Sequence, residues 1–299
     1  MEAFRTPDER FEGLPGYDFE PHYADVGGLR MHYVDEGSGP PVVCFHGEPT
    51  WAYLYRKMIP PLVEAGHRVV APDYPGFGRS DKPTDRGWYS YDRHCEHVSA
   101  VLAGLDLQNV TVVVQDWGGP IGLRWAVENE DRVASIVILN TGLFRGGMRA
   151  SDAFMAWRSF AERNPDLPVG FVLQGATKTE LSQEVVDAYE APFPNVESKA
   201  GAAQFPLLVP LDEQSPGAAE MQAVSERLSS WEKPVLVCFS DSDPIFTPKA
   251  GERFVDRIPG ARPLHVIEGA AHFLQEDKGE EIAASMVEFL SAVHGRAVG

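Results

Sequence analysis

Cysteine is scarce, with three residues in 299, at positions 44, 95 and 238. An odd number, far apart and with two in apolar strand-like runs, argues against a disulfide framework and predicts reduced structural thiols in a cytosolic protein. Positive charge is also short: 26 Lys and Arg against 44 Asp and Glu leave a formal charge of -18. That balance repels nucleic acid and anionic membrane surfaces and provides no electrostatic funnel for an anionic substrate, so a neutral small molecule is the expected ligand. No apolar run approaches the roughly 20 residues of a membrane-spanning helix. The opening MEAFRTPDERFEGLPGYDF has no basic stretch followed by an apolar one, so no secretory signal is expected either.

What the chain does have is a rhythm. Short β-branched runs, each followed by a turn, recur as PVVCFHG, HRVVAPDYPG, VTVVVQDWGG, ASIVILN and PVLVCFSDSD, with helical patterns such as 58–64, 122–128 and 251–258 between them. Continuous apolar runs bounded by Gly and Pro predict strands buried on both faces, and their alternation with helices predicts a parallel, doubly wound α/β sheet. The rhythm breaks between about Gly142 and Leu211, where SDAFMAWRSFAERNPD, TKTELSQEVVDAYEAP and ESKAGAAQFPLLVP read as short helices punctuated by Pro and Gly. The expected organisation is therefore a core of residues 1–141 and 212–299, carrying a helical cap of residues 142–211. An amphipathic helix through EEIAASMVEFLSAV closes the chain.

Ligands of open α/β sheets bind beyond the carboxyl ends of the strands. Four such places carry chemistry: His46-Gly47-Glu48-Pro49, Gln115-Asp116-Trp117-Gly118, Asp241 to Asp243, and His272. The second has the frame of a nucleophile elbow, usually G-x-S-x-G, but Val114 replaces the first small residue and Asp116 stands where a serine is usual. Asp116, Asp243 and His272 follow one another in the nucleophile, acid, base order of this fold. Taken singly, Asp116 also reads as a helix N-cap, His272 as a structural hydrogen-bonding residue, and Asp241 or Asp243 as turn formers. Asp243 is preferred as the acid because PIFTP follows it into the next helix; spacing leaves Asp241 open.

The aspartate has a chemical consequence. Serine attacking a saturated carbon leaves an ether, whereas a carboxylate leaves an ester that an activated water can hydrolyse. Aspartate is ordinarily ionised near neutral pH, so the first step needs no base and His272 is free for the second. The electrophile is then an sp³ carbon bearing a halide, which needs hydrogen-bond donors, or an epoxide oxygen, which needs an acid, usually tyrosine. Trp117 and the cap residue Trp157 are indole donors, while the cap holds one tyrosine, Tyr189, an inventory that favours halide. Trp157 reads equally as an aromatic anchor of the cap.

The segments HGEPTWAYLYRKM, APDYPGFGRSDKP, VVVQDWGG, DAYEAPFP and AAHFLQE together resemble the haloalkane dehalogenases of the α/β-hydrolase superfamily, over nearly the whole chain and least within the cap. The resemblance is to the subgroup whose triad acid follows the strand after the cap. It implies an α/β-hydrolase fold and hydrolysis of a small halogenated alkane to alcohol, halide and proton, with epoxide hydrolysis as the alternative. It further implies Asp116 as nucleophile, His272 as base, Asp243 as acid, Trp117 and Trp157 as halide donors, and the backbone amides of Glu48 and Trp117 as oxyanion hole. No cofactor or metal is implied, and a cytoplasmic monomer is expected. Another subgroup has asparagine after His-Gly and the acid after the strand preceding the cap. Here Glu48 and Asn140 stand at those places, and an anionic Glu48 is not expected to donate to halide. Elsewhere, His94 and His97 in RHCEH read as a partly exposed helix face rather than a metal site. GFGRSD lacks the third glycine of a dinucleotide loop, and His46 is expected to shape its loop rather than titrate.

Overall fold

A computed structural model of the chain describes residues 2–147 and 150–295. In chain order the strands are β1 (Ala3–Phe4), β2 (His22–Val26), β3 (Leu29–Gly37), β4 (Pro41–Phe45), β5 (Arg68–Pro72), β6 (Lys82–Pro83), β7 (Val110–Gln115), β8 (Val133–Leu139), β9 (Val235–Ser240) and β10 (His265–Ile267). Eight of them form one sheet in the order β10-β9-β8-β7-β4-β5-β3-β2, parallel except where β3 pairs with β2 and β5. β1 and β6 make a separate antiparallel pair. Every residue of β4, β7 and β9 is buried, the pattern of strands covered on both faces.

The five strands expected from the apolar runs are β4, β5, β7, β8 and β9. The β2–β3 hairpin was not among them, although Gly27 and Gly28, at φ 60° and 81°, supply the left-handed two-residue turn such a hairpin needs. Its alternating, half-buried residues make a weaker signal than a continuous apolar run.

The helices are α1 (Ile59–Glu64), α2 (Tyr91–Gly104), α3 (Gly118–Glu128), α4 (Asp152–Arg163), α5 (Val169–Gly175), α6 (Gln183–Glu190), α7 (Ala200–Gln204), α8 (Ala218–Leu228), α9 (Pro248–Arg257) and α10 (Leu274–His294). α1 packs with α10, and α3 with α2 and α8. Helices α4 to α7 lie in the chain between β8 and β9, and no strand falls there among the described residues. Of these, α5 went unread in the sequence because VGFVLQG has no helical polar face and is bracketed by glycine. All three cysteines are buried and unpaired. Among the described residues no helix is long and apolar enough to cross a membrane.

The sheet order explains where chemistry collects. β4 has β5 on one side and β7 on the other, so the chain reverses its direction of travel across the sheet at β4. The crevice beyond the carboxyl ends of β4 and β7 is the topological switch point, and the loops opening there begin at His46 and Asp116.

Candidate active site

Asp116 follows the last residue of β7 and sits just before α3 with φ 51°, a left-handed conformation that a non-glycine residue adopts at a cost. Its neighbours fix it there. Its N–H donates to Asn140 O at 2.9 Å, and its carbonyl accepts Gly119 N–H at 2.9 Å and Thr141 Oγ1 at 2.5 Å. The turn closes because small residues surround it: a Cβ on Gly118 would strike the Phe45 carbonyl, one on Gly119 the Thr141 hydroxyl, and one on Gly47 the Asp116 side chain itself. Val114, the departure from the usual frame, is accommodated from the opposite side. A Cβ on Gly122 would lie 2.6 Å from Val114 Cγ1, so the missing small residue of the strand is replaced by a glycine of α3.

His272 reaches the same point from the loop before α10. Its Nδ1 lies 2.8 Å from Asp243 Oδ2 and its Nε2 3.5 Å from Asp116 Oδ2. Asp243 is buried, and its Oδ1 accepts the N–H groups of Ile245 and Phe246 at 2.8 and 3.0 Å. Burial works against its ionised form, but His272 and these amides together hold its pKa below the ordinary aspartate value. For His272 burial likewise opposes the charge; Asp243 and Asp116 outweigh it and raise the imidazole to about 10. Asp241, by contrast, is exposed and ties its own loop, accepting Gly269 N–H and the Ser242 hydroxyl.

Three residues have positioning roles that the sequence did not assign. Asn140 Nδ2 donates to Ala271 O at 3.0 Å, His272 O at 3.2 Å and Ser240 Oγ at 2.7 Å, Gln115 Nε2 donates to His272 O at 3.2 Å, and Thr141 holds the Asp116 carbonyl. Asn140 thus fastens the histidine loop to the ends of β8 and β9. The available signal was a buried polar residue at the end of an otherwise apolar strand.

A cavity of about 730 Å³ opens over the three residues, within the size range of small-molecule sites. Asp116, Trp117, Asp243, His272 and Glu48 are among its lining residues, with Trp157 and Phe160 of α4 and Phe171 and Val172 of α5. Neither indole N–H, of buried Trp117 or half-buried Trp157, is spent on an acceptor among the described residues. Glu48 N–H donates to Asp116 Oδ1 at 2.8 Å, whereas the backbone N–H of Trp117 has no acceptor among the described residues.

Two settings differ from expectation. Glu48 sits where the anion anticipated is disfavoured. Its carboxyl is buried, and that burial together with the charge of Asp116 outweighs His272 and pushes its pKa well above the ordinary value, toward the neutral acid. Nor is His94 on an exposed helix face: it is fully buried, stacked 4.2 Å from the ring of Phe205, with its pKa lowered by burial to about 3. His46 does shape its loop, with Nδ1 2.8 Å from Gly47 O and Nε2 accepting Tyr74 N–H at 3.3 Å.

A mostly parallel sheet with an elbow after one strand, an acid after another and a histidine before the last helix defines an α/β hydrolase, and residues 40–279 match the family described by the alpha/beta hydrolase fold. Two relatives named haloalkane dehalogenase are similar over almost their full length. The one from Psychrobacter cryohalolentis is 48% identical, covering 97% of this chain and 98% of its own; the one from Mycobacterium marinum is 46% identical, covering 97% and 100%. Among solved structures, the tetrameric haloalkane dehalogenase DpaA of Paraglaciecola agarilytica NO2 superposes with a TM-score of 0.91 at 37% identity, covering 95% of this chain and 97% of that one. The chain belongs to the haloalkane dehalogenases.

Proposed function

We propose that the protein hydrolyses small halogenated alkanes to alcohol, halide and proton through an alkyl ester on Asp116. The observation that carries this is the pairing of Asp116 with an Asp243-oriented histidine at the floor of a largely apolar cavity. In the first step an Asp116 carboxylate oxygen bonds to the halogenated carbon as the carbon–halogen bond breaks, and the electron pair leaves on the halide. Trp117 and Trp157 donate their indole N–H groups to that anion, where charge develops. In the second step a water gives a proton to His272 Nε2 and attacks Cγ of the ester. The amides of Glu48 and Trp117 hold the oxyanion, and the alcohol departs with a proton, restoring Asp116.

The epoxide alternative lacks its usual tyrosine acid, since no tyrosine lines the cavity among the described residues. Tyr189 is fully buried and donates its hydroxyl to Glu276 Oε2 at 2.7 Å, away from the cavity. We also read residues 142–211 as a cap on the core of 1–141 and 212–299. Its helices α4 and α5 supply one wall of the cavity. The chain is read as a monomer, since the large exposed apolar residues Met155, Phe171, Val196, Leu211 and Val266 fall on separate segments; sedimentation tests this.

A single turnover in ¹⁸O-water separates the ester route from direct attack by water. The ester route sends an Asp116 oxygen into the alcohol and leaves the label on the protein. Label in the first-turnover alcohol would overturn it.

A further inference from the structure

Glu48 is held beside the nucleophile by its own backbone, whose N–H binds Asp116 Oδ1 at 2.8 Å. Its side chain is 5% exposed, lines the catalytic cavity together with Trp117 and Trp157, and has its Oε1 buried without a hydrogen-bond partner. An ionised carboxylate in that place would be an acceptor with nothing to accept, standing next to a second carboxylate. The charged groups facing it do not relieve this. His272 is already engaged by Asp116 and Asp243, His46 on the same loop spends both ring nitrogens on backbone, and Arg163 and Lys178 lie at the exposed rim of the cavity.

We propose that Glu48 stands as an uncharged carboxylic acid whose hydroxyl donates to the departing halide, a third donor beside the two indoles. This rests on the dehalogenase reading and adds a residue that sets leaving-group preference. The direction of the Glu48 pKa, raised by burial and by Asp116, agrees with it. A hydrogen bond to an anion strengthens as charge grows on the halogen, so the contribution falls on the transition state and on bound product. Chloride, the smaller and stronger acceptor, gains more from an O–H donor than bromide does.

The test measures chloride and bromide affinity by tryptophan quenching across pH, for the unaltered protein, Glu48→Gln and Glu48→Leu, with turnover of a matched 1-chloro- and 1-bromoalkane. Gln keeps a donor but cannot ionise, whereas Leu has neither property. For the unaltered protein, affinity falls roughly tenfold as Glu48 loses its proton, on the scale of a hydrogen bond to a charged group. Glu48→Gln lacks that step and keeps only the one belonging to His272 near 10. Glu48→Leu binds about tenfold more weakly throughout and loses chloroalkane turnover more than bromoalkane turnover. A pH step unchanged in Glu48→Gln, or halide affinity in Glu48→Leu equal to that of the unaltered protein, overturns the proposal while leaving the two-indole site intact. Absence of halide quenching in every form, with no halide release from haloalkanes, sinks the dehalogenase reading itself. Should Glu48→Leu fail to fold, the pH step in the near-isosteric Gln variant decides alone.

Discussion

His272 Nε2 lies 3.5 Å from Asp116 Oδ2, so the charge that favours protonated imidazole in the resting site is the one that ester formation abolishes. With Asp116 alkylated, its share of the upward shift to about 10 disappears while that of Asp243 stays, so His272 holds its proton less tightly and moves toward the base the second step needs. We expect proton release with the first half-reaction, alongside halide, in stopped-flow indicator experiments. In Asp116→Asn the imidazole, followed by NMR, titrates at lower pH than in the unaltered protein. An unchanged titration contradicts the coupling.

The same shift bears on stability. The folded-state value is raised above the ordinary 6.5 of histidine, so the stabilisation is full below about pH 6.5 and is lost as pH rises through about 10. Urea midpoints measured from pH 6 to pH 10.5 decline less in His272→Gln than in the unaltered protein. Equal declines count against an ion pair at this position.

Removing the base arrests the reaction midway. His272→Ala, incubated with an active bromoalkane, accumulates a protein heavier by one alkyl group, and peptide mass spectrometry places it on Asp116. An unmodified Asp116 after halide has been released excludes the ester.

The elbow depends on absent side chains. Gly118→Ala drives a methyl into the Phe45 carbonyl, a backbone atom with no rotamer to escape by. We expect a loss of about 1–3 kcal/mol in urea unfolding and a larger proportional loss of activity. Gly104→Ala, at the end of α2 and away from the cavity, where a Cβ meets nothing within 4 Å, serves as the tolerant control.

Glu276 pins α6 to the core. It is buried, accepts Arg56 through two bonds at 2.7 and 2.8 Å, and takes the Tyr189 hydroxyl. Glu276→Ala strands a buried guanidinium and costs about 3–5 kcal/mol, while Tyr189→Phe costs about 1 kcal/mol. Comparable losses in the two variants contradict the assignment of Arg56 as the dominant partner.

Much of this was legible before any coordinates. Strands buried on both faces announce themselves as apolar runs; Asp116 and Asp243 follow such runs, and His272 completes an order that few folds share. The site itself was less legible where burial decides chemistry. Glu48 reads as a charge in sequence, whereas enclosure beside Asp116 disfavours its ionised form. His94 reads as half of an exposed pair, and only the stacking of Phe205 shows its true setting. Gln115 and Asn140 carried a signal, a polar residue ending an apolar strand, but their partners lie more than 100 positions along the chain, where local pattern has no reach.

The most direct test of the account is halide release from short chloro- and bromoalkanes by the purified protein, run beside Asp116→Asn. The account predicts one halide and one alcohol per substrate for the unaltered protein and none for the variant. Release that persists in Asp116→Asn, or its absence with every substrate while the protein is folded, contradicts it.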